Sequence, residues 1–196
     1  MFAPDLKGFG ENADMEYPYS LSDYVAEVEE YIKANKLVKP HVIAHSFGAR
    51  VALKAAAKDK GLFDKIVLTG AAGLKPKRKA GYYLKKGVFK TLKLILPKEK
   101  LSRFYSCDYN ALSPVMKESF VKIVNEYLDD LLPKIENRTL IVFGENDYET
   151  PLYMAKRLYK GISGSELKVI KDAGHFAFID KPFRFNMEVR EFLFSR

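Results

Sequence analysis

Four short runs of consecutive apolar, mostly β-branched residues stand out along the chain. They are His41-Val42-Ile43-Ala44, Lys65-Ile66-Val67-Leu68-Thr69, Thr139-Leu140-Ile141-Val142-Phe143 and Leu167-Lys168-Val169-Ile170. Unbroken apolar runs of this length predict strands covered on both faces, the habit of parallel sheets. Between and beyond them, apolar positions recur at the spacing of an amphipathic helix. These helical segments are Leu21 to Asn35, with Ser20 or Ser22 as N-cap, an Ala-rich stretch from Phe47 to Lys60, Leu152 to Tyr159 after Pro151, and Phe183 to Phe194 after Pro182. Strands alternating with helices predict βαβ units, hence an α/β fold with a mostly parallel sheet and flanking helices.

One stretch breaks the alternation. From about Leu74 to Lys134 there is no strand pattern, only helical material at Ala80 to Leu96 and Pro114 to Leu132. The pattern divides the chain into residues 1–73, a helical insertion at 74–134, and residues 135–196. No internal repeat is present.

The chain has 196 residues, 47% hydrophobic and 30% charged, enough for one domain with a substantial core and unlike a disordered chain. Its single cysteine, Cys107, cannot form an internal disulfide and reads as a buried or incidental thiol. The N-terminus has no basic region followed by an apolar stretch, and no apolar run approaches the roughly 20 residues that span a bilayer. A cytoplasmic location is the default expectation.

The segment Val42-Ile43-Ala44-His45-Ser46-Phe47-Gly48-Ala49 carries the strongest chemical signal. It runs from a buried strand through a serine flanked by small residues into a helix, the pattern of a nucleophile elbow. So tight a turn demands small residues two before and two after the serine, here Ala44 and Gly48. It lifts the Ser46 hydroxyl above the sheet edge and aims the Phe47 N–H at an oxyanion forming there. A serine hydroxyl needs a base. Of three histidines, His41 begins a strand and faces solvent or a loop, and His45 should point away from Ser46. That leaves His175, in Ala173-Gly174-His175-Phe176 after the last strand, where Gly174 lets the chain turn. An acid must then orient the imidazole. Asp147, in Gly144-Glu145-Asn146-Asp147, has the reach, with Glu145, Glu149 and Asp172 as alternatives nearby.

The order Ser46, Asp147, His175 on successive strand ends resembles the α/β-hydrolase family. Gly144-Glu145-Asn146-Asp147 is similar to that family's G-x-x-D acid loop, Gly174-His175 to its terminal G-H, and Asp5-Leu6-Lys7-Gly8-Phe9-Gly10 to its D-x-x-G-x-G loop. Ala44 stands where glycine is commoner. The resemblance spans essentially the whole chain. It implies a truncated α/β-hydrolase fold in which 74–134 is the cap, or lid. It also implies a serine hydrolase cleaving an ester, amide, thioester or carbon–carbon bond of a small, partly hydrophobic substrate, with no metal or organic cofactor. Asp147 is the preferred acid.

The resemblance also implies that strands preceding the elbow are lacking, together with the His-Gly loop that supplies a second oxyanion N–H. Loss of one such donor costs on the order of 10²–10³ in turnover. Val42 and Ile43 then lie on an open apolar edge. Two explanations compete: an incomplete product of a longer hydrolase of roughly 260 residues, which is the expectation, or a natural short form that pairs as a homodimer through that edge. The rival functional reading is a catalytically impaired, hydrolase-like binding protein.

The net charge of +8 is concentrated. From Lys75 to Arg103 there are eleven positive residues and one negative, Glu99, a local net of +10 that leaves about −2 for the rest. These lysines read as the solvent side of an amphipathic cap helix. Weak attraction to anionic lipid or an acidic substrate is the sharper alternative. No nucleic-acid-binding motif accompanies the charge, and no nucleic-acid partner is expected.

Overall fold

The computed structural model describes residues 1–77 and 112–195. Its strands are β1 (Val42–His45), β2 (Lys65–Thr69), β3 (Arg138–Gly144) and β4 (Glu166–Ile170), all parallel and in the order β1-β2-β3-β4. The register sets Val42 beside Ile66, Val67 beside Leu140 and Phe143 beside Val169. Helices α1 (Leu21–Ala34), α2 (Ser46–Lys58), α3 (Pro114–Asn125), α4 (Leu152–Gly161), α5 (Ala177–Asp180) and α6 (Pro182–Phe194) account for the helical segments described.

Side chains alternate across the pleat, so the sheet supports two cores. Ala44, Ile66, Leu68, Ile141 and Phe143 pack under α1, α2 and α4. Val67, Leu140, Val142 and Ile170 face the other way, onto Phe185, Val189 and Phe192 of α6. Burial on both sides is why these strands read as continuous apolar runs. The exceptions are the two edge strands: Ile43 of β1 is 51% exposed on the α6 side, and in β4 Val169 is exposed and only Ile170 is buried.

Helix ends are fixed by identifiable groups. Ser20 caps α1 in a reciprocal box: its hydroxyl accepts from the Asp23 N–H, and Asp23 accepts from the Ser20 N–H. Those hydrogen bonds hold the Asp23 carboxyl below its ordinary range. At the far end of α6, the buried Lys65 ammonium donates to the carbonyls of Phe192, Leu193 and Ser195 at 3.2, 2.9 and 2.6 Å.

The helix expected over Pro114–Leu132 is shorter. Helix α3 ends at Asn125, Glu126 is extended, and a 3-10 segment covers Asp129–Lys134. Tertiary partners take over the backbone groups there. The buried Arg50 guanidinium donates to the carbonyls of Ile123 (2.7 Å) and Glu126 (2.9 Å), and the Leu128 N–H donates to Gly73 O (2.9 Å). The expected helix at Ala80 to Leu96, the basic segment from Arg78 onward and Cys107 lie outside the described residues. Among the described residues, no helix is long and apolar enough to cross a membrane.

Candidate active site

Ser46 follows β1 directly and opens α2 with φ +47, while His45 before it is extended at φ −108, ψ 139. A non-glycine residue in the left-handed region is strained by roughly 1–2 kcal/mol and persists only where surroundings enforce it. Ala44 is buried beneath the turn. A Cβ at Gly48 would meet nothing within 4 Å, so the steric demand expected on that side is absent among the described residues. The Phe47 N–H lies in the first turn of α2, where amides lack an intrahelical acceptor. The Phe47 ring is held by Phe9 (centroids 5.5 Å apart, stacked) and Tyr24 (5.0 Å, edge-on). Phe9 belongs to the loop whose Asp5 accepts from the Glu11 N–H at 3.0 Å. Tyr24 donates to Lys7 O at 2.9 Å, and burial pushes its hydroxyl up to about 12.

The loop after β3 carries the acid. Asp147 Oδ1 accepts from the N–H groups of Glu149 (3.0 Å) and Thr150 (2.8 Å), and Oδ2 from the Thr150 hydroxyl (2.7 Å). The loop is tied to the one bearing His175: the Asn146 N–H donates to Ala173 O (2.8 Å), and the Glu145 N–H to Ile170 O (2.9 Å). This close crossing falls on Gly144, where a Cβ would lie 2.1 Å from Gly174 O. The turn before His175 is made differently from the sequence expectation. Asp172, not Gly174, takes the left-handed conformation, at φ +53.

His175 Nδ1 lies 2.9 Å from Asp147 Oδ2, with both side chains almost fully buried (6% and 0% exposed). Because a carboxylate only accepts, the ring donates from Nδ1, and Nε2 faces outward. Asp147 is thus the acid brought to His175 Nδ1. Glu145 instead accepts from the Asp172 N–H, at 3.4 Å. Glu149 reaches the other ring nitrogen, its Oε2 3.4 Å from Nε2. Among the described residues, no hydrogen bond joins Ser46 Oγ to Nε2.

Three neighbours of the imidazole were not singled out from sequence. The Thr150 hydroxyl is 3.4 Å from Nδ1 as well as bonded to Asp147. Gly70, at φ +49 after β2, leaves room for the ring: a Cβ there would lie 2.9 Å from Nδ1. The available signal was a glycine directly after a buried strand. His45 packs its ring against His175 (centroids 4.6 Å apart) and against Phe176 and Phe178. Its Nδ1 donates to Thr69 O at 3.1 Å, and its Nε2 is buried without a partner among the described residues. Burial, then the neighbouring His175, hold the His45 imidazole below its ordinary pKa. His41, by contrast, sits beside Asp64, 3.3 Å away, far from this cluster in its exposure.

Beside the imidazole opens a cavity of about 400 Å³, lined by Arg50, Leu74, Tyr127, Glu149, Thr150 and Met154 among others. Among the described residues, no group of three or more His, Cys, Asp and Glu side chains is placed to hold a metal ion.

An uncharacterised protein of Mycobacterium tuberculosis is 22% identical over 233 residues, covering 98% of this chain and 67% of its own length. A meta-cleavage product hydrolase from Pseudomonas fluorescens shares the fold with a TM-score of 0.72 at 26% identity, over 97% of this chain and 78% of that one. An esterase from Exiguobacterium antarcticum superposes with a TM-score of 0.76 at 23% identity, over 97% and 80%. A model of the alpha/beta hydrolase family matches residues 1–188. With its parallel sheet, its strand-to-helix turn at Ser46 and this match over nearly its whole length, the chain belongs to the alpha/beta hydrolase family.

Proposed function

We propose that this chain is a serine hydrolase working by acyl transfer on an ester, thioester, amide or carbon–carbon bond of a small, partly hydrophobic substrate. Ser46 is the nucleophile, His175 the base, Asp147 the orienting acid, and the Phe47 N–H one oxyanion donor. The observation that carries this reading is the buried Asp147–His175 hydrogen bond of 2.9 Å, at the same edge of the parallel sheet as a serine held at φ +47. With Nδ1–H donated to Asp147, the free Nε2 accepts the Ser46 proton as Oγ attacks the substrate carbonyl. The tetrahedral oxyanion is stabilised at the start of α2 by the Phe47 amide and the positive end of the helix. Nε2–H then protonates the leaving group. Water, deprotonated by His175, attacks the acyl-enzyme and releases the acid and Ser46.

Labelling with a fluorophosphonate, mapped by mass spectrometry, tests this. Adduct at Ser46 that is lost in Ser46→Ala and falls sharply in His175→Ala is the expected result. No adduct on folded protein would overturn it. The second reading, a hydrolase-like binding protein, draws on the open edge at Ile43 and on Nε2 facing Glu149. Under that reading, β1 pairs with a second copy or another partner, and dimerisation without labelling would be observed.

A further inference from the structure

We infer that Glu149 sets the charge selectivity of this site, favouring substrates whose group beside the scissile bond is neutral or cationic and rejecting a carboxylate there. The inference rests on the serine-hydrolase reading above and narrows its substrate class. One loop of four residues supplies carboxylates to both ends of the imidazole. Asp147 takes Nδ1 from within the core, and Glu149 reaches Nε2 from the open side, with its side chain 69% exposed. The two acids differ in what holds them. Asp147 accepts three hydrogen bonds from its own loop. The Glu149 main chain is fixed by its N–H to Asp147 Oδ1, while its carboxylate lies 3.4 Å from Nε2 and the residue forms part of the cavity wall.

Nε2 is the atom that must meet both the serine hydroxyl and the leaving group. A carboxylate 3.4 Å from it lies within a few ångströms of any group attached to the scissile bond. Arg50, which also lines the cavity, is held by the carbonyls of Ile123 and Glu126 and, among the described residues, makes no ion pair with Glu149. Among the described residues, the one basic group within 4 Å of the Glu149 carboxylate is the imidazole of His175, which carries no charge when it stands ready as a base. A substrate carboxylate would therefore meet a like charge, whereas an ammonium, a hydroxyl or an amide N–H would meet an acceptor. Since Glu149 is largely exposed, water weakens the effect to about two- to fivefold for each unit of substrate charge.

The test pairs three esters of matched size, with a carboxylate, a hydroxyl or an ammonium on the carbon next to the reacting group, against wild type, Glu149→Gln and Glu149→Asp. Glutamine keeps shape and removes charge. The expected result is a rise of about two- to fivefold in the carboxylate-to-hydroxyl ratio of kcat/KM in Glu149→Gln, and a fall of similar size in the ammonium-to-hydroxyl ratio. Both shifts should shrink in 0.5 M salt and be largely reversed in Glu149→Asp. A purely structural role would move the three esters together and leave the ratios unchanged, which overturns the inference alone. If wild type hydrolyses none of the esters and takes no label at Ser46, the serine-hydrolase reading falls and takes this one with it.

Discussion

Replacing Gly70 by alanine places a methyl group against the imidazole of His175. The added Cβ would lie 2.9 Å from Nδ1, 3.0 Å from Cε1 and 3.1 Å from the His175 carbonyl. Comfortable contact needs about 3.5–4.0 Å, so the ring must retreat by about 0.6–1 Å. Starting from 2.9 Å, a displacement of that size directed away from Asp147 would stretch the Nδ1 hydrogen bond to its limit or beyond. Two costs add in stability: about 1–2 kcal/mol for alanine at φ +49 and about 1.5–3 kcal/mol for a weakened hydrogen bond to a buried carboxylate. An imidazole misplaced by about 1 Å should also slow acylation by about 10²-fold. Gly164 provides the control, because it too has a positive φ (+68) but a Cβ there would meet nothing within 4 Å. Gly164→Ala should show the backbone cost alone, with labelling at the wild-type rate. Urea unfolding measures the first quantity, and fluorophosphonate labelling of folded protein the second. A Gly70→Ala variant that labels within twofold of Gly164→Ala would refute the steric reasoning.

Thr150→Val removes the hydroxyl that donates to Asp147 Oδ2 at 2.7 Å and should cost about 1.5–3 kcal/mol in urea unfolding, with Thr150→Ser recovering most of it. His45 is held below its ordinary value of 6.5, so the unfolded chain binds its proton more readily than the folded one. Its contribution to stability is intact above 6.5 and drains away as pH falls below that value toward the folded pKa. His45→Gln should accordingly flatten the fall in urea midpoint between pH 6.5 and 5; parallel slopes would count against the assignment. Ser46→Gly relieves a left-handed serine and should raise stability by up to about 1 kcal/mol while abolishing labelling; a loss of stability would show that the turn is not strained.

The centre of the sheet was legible because β2 and β3 are covered on both sides. Ile66, Val67 and Leu68 are each fully buried, so the apolar run is continuous and its ends mark the strand. The order of Ser46, Asp147 and His175 along strand ends was legible because the carboxyl ends of parallel strands share one edge. What the sequence could not specify depends on packing across that edge. His45 neighbours Ser46 in sequence, yet its ring lies on His175, 130 residues away in the chain's order, because Phe176 and Phe178 complete the aromatic box around it. Gly174 looked like the turn former, but the left-handed residue is Asp172, and the crossing is instead made possible by Gly144. Helix α3 stops short of its apolar pattern because Arg50, distant in sequence, takes up the carbonyls at its end.

The four residues from Asp147 to Thr150 have an implication for how this site can change. The carboxylate of Asp147 is secured by the Glu149 main-chain N–H, which any residue but proline supplies. The identity of the side chain at 149 is therefore uncoupled from the anchoring that the same residue provides. If Glu149 sets selectivity as proposed, a single-codon change there would alter which molecules are admitted while the main-chain hydrogen bond to Asp147 stays in place.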